Sequence, residues 1–159
     1  MTLVSGPILQ VAWVVEDIAA AEARFTDDLG VARWMRIPDV AFGPDHCTYR
    51  GAPADFTIHV SLGYAGDQQL ELIEPVTGDS LYTEHLRAHG PGLHHVAWEP
   101  ADFEAAVAAC GDAVAQQGSF PGVGMEFAYV PGGPLGSWVE LMKLSDDMRA
   151  IFASIQTAG

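Results

Sequence analysis

The sequence predicts an α+β chain built from two tandem βαβββ modules, and three echoes within it carry that prediction. Gln10-Val11-Ala12-Trp13 returns as His95-Val96-Ala97-Trp98. Each copy is followed at the same distance by an aspartate and an apolar residue, Asp17-Ile18 and Asp102-Phe103. Downstream, Leu70-Glu71-Leu72 is answered by Val139-Glu140-Leu141. A repeat this long is a half-domain rather than a solenoid unit. The echoes set Gln10, Glu71, His95 and Glu140 at equivalent points of the two halves. All four side chains are able to bind a hard or borderline metal ion.

The first module is placed at residues 1–79. Ile8 to Val15 is a near-continuous apolar run bounded by Pro7 and Glu16-Asp17, which reads as a buried strand. Alternation puts Gln10, Ala12 and Val14 on one face, and Leu9, Val11, Trp13 and Val15 on the other. Asp17 suits an N-cap, Ile18, Ala21, Phe25 and Leu29 recur at helical spacing, and Gly30 ends the helix. Strand-like pieces follow at about 46–50, 55–64 and 68–75. More residues separate Gln10 from Glu71 than His95 from Glu140, so the first module carries an insertion. It is placed at Ile37 to Ala54, a stretch rich in Pro, Gly and Asp. Such an insertion either borders a site entrance or has no chemical role.

Residues 80–92 form the linker, with a short helix from Ser80 to His89 closed by Gly90-Pro91-Gly92. The second module, 93–144, repeats the grammar. Leu93 to Glu99 is a strand and Asp102 an N-cap. Phe103, Ala106, Val107, Cys110 and Val114 form a helical stripe ending at Gly118. Strand pieces are expected at about 119–122, 125–131 and 136–143. Residues 145–159 hold a terminal helix from Ser145 to Ile155, with Met148, Ile151, Phe152 and Ile155 on one face.

At 159 residues and 49% apolar, the chain is long enough for one well-buried domain. No stretch reaches the length of a membrane span. The formal charge of -14 argues against nucleic acid or an anionic membrane as partner, since both need a basic surface. A small anionic substrate stays open, because Arg24, Arg33, Arg36 and Arg50 gather in the first third. Cys47 and Cys110 make no disulfide framework, and Met1 to Pro7 has no secretion-signal pattern. A reducing, cytoplasmic setting is the expectation.

Gly92-Leu93-His94-His95-Val96-Ala97-Trp98 and Leu70-Glu71-Leu72-Ile73-Glu74-Pro75, with the duplication around them, resemble the vicinal-oxygen-chelate superfamily. That group includes glyoxalase I, methylmalonyl-CoA epimerase, extradiol dioxygenases and bleomycin- and fosfomycin-resistance proteins. The resemblance covers nearly the whole chain. It implies a mostly antiparallel sheet curled into a cup, with one metal held by the first and last strand of each module. Carried onto this sequence, the ligands are Gln10, Glu71, His95 and Glu140. This set matches one arrangement used by glyoxalase I, while the strand around His95 is similar to that of the epimerase. Gln10 stands where the extradiol dioxygenases need a histidine, and four ligand-type residues do not fit the bleomycin-resistance proteins.

One imidazole, two carboxylates and an amide oxygen suit octahedral Mn, Co, Ni or Mg, or a catalytic Zn, and the absence of thiolates argues against a structural zinc. Strand alternation also allows both glutamates to face solvent, and Gln10 and His95 to serve only as hydrogen-bonding core residues. His94 shares parity with Val96 and Trp98, which reads as a partly exposed surface or interface histidine. Such a centre suits proton transfer next to a carbonyl, by an epimerase, isomerase or glyoxalase-type lyase acting on a small organic or acyl-CoA substrate. The base is Glu140 or His59, the latter aligned with the epimerase's catalytic glutamate unless it points outward. Tyr49, Phe127, Tyr129 and Trp138 are candidate pocket walls, or plain core. The alternative function is a non-catalytic protein that sequesters a hydrophobic metabolite or antibiotic. The family's habit of pairing modules makes a homodimer the expected assembly.

Overall fold

A computed structural model of the chain describes residues 4–157. Its strands are β1 (Gln10–Val14), β2 (Trp34–Phe42), β3 (Cys47–Tyr49), β4 (Ala52–Pro53), β5 (Phe56–Ala65), β6 (Gln68–Thr77), β7 (Gly92–Trp98), β8 (Gln116–Ser119), β9 (Glu126–Pro131) and β10 (Trp138–Lys143). Its helices are α1 (Ile18–Leu29), α2 (Leu81–His89), α3 (Phe103–Cys110) and α4 (Asp146–Thr157). All ten strands join one sheet in the order β2-β5-β6-β1-β7-β10-β9-β8-β3-β4. No helix of the described residues is long and apolar enough to cross a membrane.

The duplication is written into the register. Within each half the opening strand runs parallel to the closing one, β1 beside β6 and β7 beside β10, and the remaining pairs are antiparallel. Ala12 stands opposite Glu71 as Ala97 stands opposite Glu140. The halves meet at the antiparallel β1–β7 seam. The α+β architecture expected from the repeat is therefore present, with the sheet curled into a cup.

Capping follows the expected chemistry. The Asp17 side chain accepts from the Ala20 amide and Asp102 from Ala105, while Gly30 closes α1 in the left-handed conformation. These helices cover the outside of the cup. Phe25 of α1 packs edge-on against Trp13 and Trp34, above Leu72, and α3 lays Phe103 and Val107 over Val139 and Leu141. The larger apolar cluster fills the inside, where Phe42, Phe56, Phe127, Tyr129 and Met142 meet Tyr82 of α2 and Met148 and Phe152 of α4.

Three local expectations need correction. Residues 34–42 form edge strand β2, so 37–42 belong to a strand and not to the loop expected from Ile37 to Ala54. A register shift between Ile37 and Val40, with Asp39 at positive φ, absorbs the proline that argues against a strand there. The inserted segment is thus shorter, and its strand β3 pairs with β8 of the other half. That docking needs Gly118, where a Cβ would lie 2.3 Å from the His46 carbonyl oxygen. Finally, α3 stops at Cys110 because Gly111 takes positive φ, so Val114 is extended and β8 begins at Gln116.

Candidate metal centre

The central strands β6, β1, β7 and β10 bring Glu71, Gln10, His95 and Glu140 together inside the cup. Alternation puts Gln10 on the same face as Ala12 and Val14, all three buried, as the apolar face of a core strand requires. Glu71 shares the inner face of β6 with Ile73, and Glu140 that of β10 with Met142. His95 supplies the imidazole from β7. Its Nε2 lies 2.9 Å from Glu140 Oε2, 3.1 Å from Gln10 Oε1 and 3.4 Å from Glu71 Oε1.

The amide of Gln10 is held in one orientation. Its Nε2 donates to Gln69 Oε1 at 2.7 Å, and Gln69 Nε2 donates in turn to the Tyr64 hydroxyl at 3.1 Å. Gln10 Oε1 is thereby aimed at His95. Burial disfavours a charged imidazole, but Glu140 and Glu71 outweigh it and hold His95 up at about 9. Burial raises Glu71 above its usual value, against the pull of His95 and with the repulsion of Glu140.

Three acceptor oxygens therefore converge on one nitrogen, whose single N–H serves Gln10. Glu140 Oε2 is buried with no hydrogen-bond partner. The orphaned Glu140 oxygen stands beside a second, largely buried carboxylate, and one imidazolium balances only one of the two. A divalent ion would balance both carboxylates and leave His95 neutral. Donors in adjacent octahedral positions about 2.1 Å from a metal stand about 3.0 Å apart, close to the separations here. Among the described residues, no group of three or more His, Cys, Asp or Glu is spaced so that it could hold a metal ion as it stands. The donors close on the imidazole instead.

The family model described as the Glyoxalase/Bleomycin resistance protein/Dioxygenase superfamily matches residues 9–129, which include Gln10, Glu71 and His95. The chain belongs to this superfamily. No curated protein matches it by sequence. Among solved structures it is similar to methylmalonyl-CoA epimerase from Mycobacterium tuberculosis, at 18% identity over 94% of each chain and a TM-score of 0.62. A hypothetical protein from Bacillus halodurans is 17% identical over 88% of this chain and 95% of its own, with a TM-score of 0.62. A Streptomyces coelicolor methylmalonyl-CoA epimerase in complex with 2-nitronate-propionyl-CoA is 17% identical over 87% and 94%, with a TM-score of 0.53. At these identities the likeness establishes the fold.

In this member of the superfamily the cup is nearly full. The free space beside Gln10, Glu71 and Glu140 is about 30 Å³, room for roughly two waters. Of the expected walls, Phe127 and Tyr129 line it. Tyr49 and Trp138 do not: the Tyr49 hydroxyl bonds Glu84, and Trp138 faces a separate cleft beneath Arg50. His59 lies on the outer face, because Ile58 and Val60 take the inner one, and its Nδ1 accepts from the Asp39 amide at 3.0 Å.

Several residues at the site escaped the sequence reading. Tyr82 joins the wall and shares a 2.8 Å hydroxyl contact with Tyr129; Met148 and Phe152 close the cup. A helical stripe of Leu81, Tyr82 and Leu86 was the available signal for α2. His94 is fully buried, against expectation. The β1–β7 register shifts between Ala12 and Trp13, whose partners are His95 and Leu93, leaving His94 as the extra residue of a bulge. Both histidines thus turn inward, with their Nδ1 atoms 2.8 Å apart. Burial, with the neighbouring imidazoles of His95 and His85, pushes His94 well below the usual histidine range.

Proposed function

We propose that this protein is a divalent-metal-dependent enzyme that moves a proton next to a carbonyl group, as an epimerase, an isomerase or a glyoxalase-type lyase. The observation that carries the reading is the convergence of Gln10, Glu71 and Glu140 oxygens on His95 Nε2 at the wall of an apolar cavity. These four side chains would hold the ion. When bound, it would polarise a substrate carbonyl and stabilise negative charge developing on its oxygen.

The chain's own residues do the rest. Glu140, whose Oε2 has no hydrogen-bond donor, is the base that accepts the proton. Gln10 keeps its amide oxygen on the centre through Gln69. The apolar walls exclude water, which strengthens each charge interaction inside. The Tyr82–Tyr129 hydroxyl pair is the polar exception in that wall, and it stays protonated because burial and Glu140 raise both phenols well above their usual value. A substrate of more than a few atoms displaces Met148 or Phe152, so a small acyl group or α-oxygenated carbonyl compound suits the cup.

A second reading is favoured by the apolar lining of the cavity: a binding protein that sequesters a hydrophobic metabolite when Met148 and Phe152 move aside. Purified protein assayed for metal, then incubated in D2O with a panel of acyl-CoA thioesters and α-hydroxyketones, separates the two. The enzyme incorporates deuterium at the carbon next to the carbonyl, and does so only with metal. Retention of a ligand without exchange on any panel member overturns catalysis in favour of sequestration.

A further inference from the structure

We infer that His94 is a positioning residue: its Nδ1 accepts the Nδ1–H of His95 and so fixes the tautomer that leaves His95 Nε2 free for the ion. The inference rests on the metal-dependent reading and deepens it.

The two Nδ1 atoms are 2.8 Å apart, a hydrogen bond in which one nitrogen must donate and the other accept. Coordination through His95 Nε2 requires that nitrogen to be bare, so the ring's one proton sits on Nδ1 and needs an acceptor. Among the described residues, His94 Nδ1 is the partner that reaches it. Metal-bound histidines ordinarily use a carboxylate, a backbone carbonyl or water for this task. Here a second imidazole takes it, delivered by the bulge that turns His94 inward. The opposite tautomer would give His94 the shared proton and leave His95 protonated on Nε2, which closes the centre to an ion.

The surroundings keep the pair aligned. The His94 ring is wedged among Tyr82, His85 and Tyr129, with centroids 5.1, 5.3 and 5.7 Å away, and stands at 86° to His95. The assignment places the remaining His94 proton on Nε2. That atom is buried without a hydrogen-bond partner, beside the cleft it shares with His85, His89 and Trp138. A carboxylate there would have drawn more of the His95 proton. The neutral acceptor leaves His95 a neutral ligand, matching a divalent ion to two carboxylates.

The test compares Co(II) affinity of the full-length wild type with His94→Asn, His94→Gln and His94→Leu, read by titration calorimetry and the visible spectrum. Asparagine sets an amide oxygen near the lost Nδ1, whereas glutamine sets its amide near Nε2. The expected result is a loss of about 10–100-fold in affinity for the Gln and Leu variants, with most of it retained by Asn. Nitrogen-15 shifts of His95 should report a protonated Nδ1 in the wild type and the Asn variant. A purely structural role treats the two amides alike, so an equal loss in Asn and Gln overturns the inference, as does unchanged binding in all three. Should the Leu variant fail to fold, the Asn–Gln comparison still decides. Wild type that binds no Co(II), Mn(II), Ni(II) or Zn(II) overturns the functional reading itself.

Discussion

Glu140 Oε2 lies 2.9 Å from His95 Nε2 and yet takes no hydrogen bond from it. The imidazole N–H is directed to Gln10, so Glu140 contributes charge without a bonded proton. Two carboxylates then share one imidazolium, and one of them is surplus in the metal-free protein. Replacing Glu140 by Gln should reveal this. Removing one partner of a buried pair ordinarily costs about 3–5 kcal/mol. Here Glu71 still pairs with His95, so the expected loss of metal-free stability is below about 1 kcal/mol, well short of that figure. Metal affinity should fall by more than the roughly 10–100-fold that an outer partner commands. Urea unfolding in EDTA and metal titration of the same variant read the two effects.

Glu71 and Glu140 also predict a large response of the folded state to metal. An ion that binds only the assembled centre stabilises it by about 2.7 kcal/mol at a hundredfold excess over Kd. For a domain of this size that raises Tm by roughly 5–10 °C. Calorimetric scans with Mn(II), Co(II), Ni(II) or Zn(II) should show the rise, and EDTA should reverse it. A double Glu71→Gln, Glu140→Gln variant should show none. An equal rise in the double variant would place the binding elsewhere.

The repeat made the centre legible because its evidence is positional. Ala12 and Ala97 recur in the sequence, and the glutamates opposite them fall on the same strand face. Parity assigns Gln10 inward because β1 alternates without interruption. It fails at His94, where one extra residue reverses the alternation and no local composition marks the bulge. Pro38 concealed β2 for a related reason, since a proline breaks a ladder except at an edge or a bulge, and β2 has both. The apolar stripe of α4 was readable, whereas its target was not. Nothing in Met148 or Phe152 says that the surface they cover is the mouth of the cup rather than the back of the sheet.

Phe152 is therefore the residue through which the cavity can be opened. Its side chain is buried against the same space as Met148 and Ile58. Phe152→Ala should cost about 3–5 kcal/mol, the usual range for emptying a buried aromatic position. The same change should let the cup take a small apolar probe such as benzene or indole, which the wild type excludes. A crystal soak, together with the denaturation midpoint, tests both. A stability loss with no probe uptake would mean that α4 collapses into the vacated volume.

Acid should act at a different place, the clamp that ties α1 to β2 and β5. Glu22 accepts from Arg36 Nε at 2.9 Å and Nη2 at 2.6 Å, and from the Ser61 hydroxyl. Partial burial opposes the charged carboxylate, but Arg36 and Ser61 outweigh it and hold Glu22 below its ordinary value of 4.5. A carboxyl whose folded pKa is depressed contributes stability that is present above its unfolded pKa and lost as pH falls through the folded one. The guanidinium is 44% exposed, so solvent screens the pair and the contribution at neutral pH is about 1 kcal/mol or less. Glu22→Gln should lower stability by that amount at pH 7 and differ progressively less from wild type as pH drops below 4.5. Urea unfolding at pH 7, 5 and 3.5 measures the gap between the two proteins. A gap that stays constant with pH would mean that Glu22 acts through packing and the Ser61 hydrogen bond, with no share for its charge.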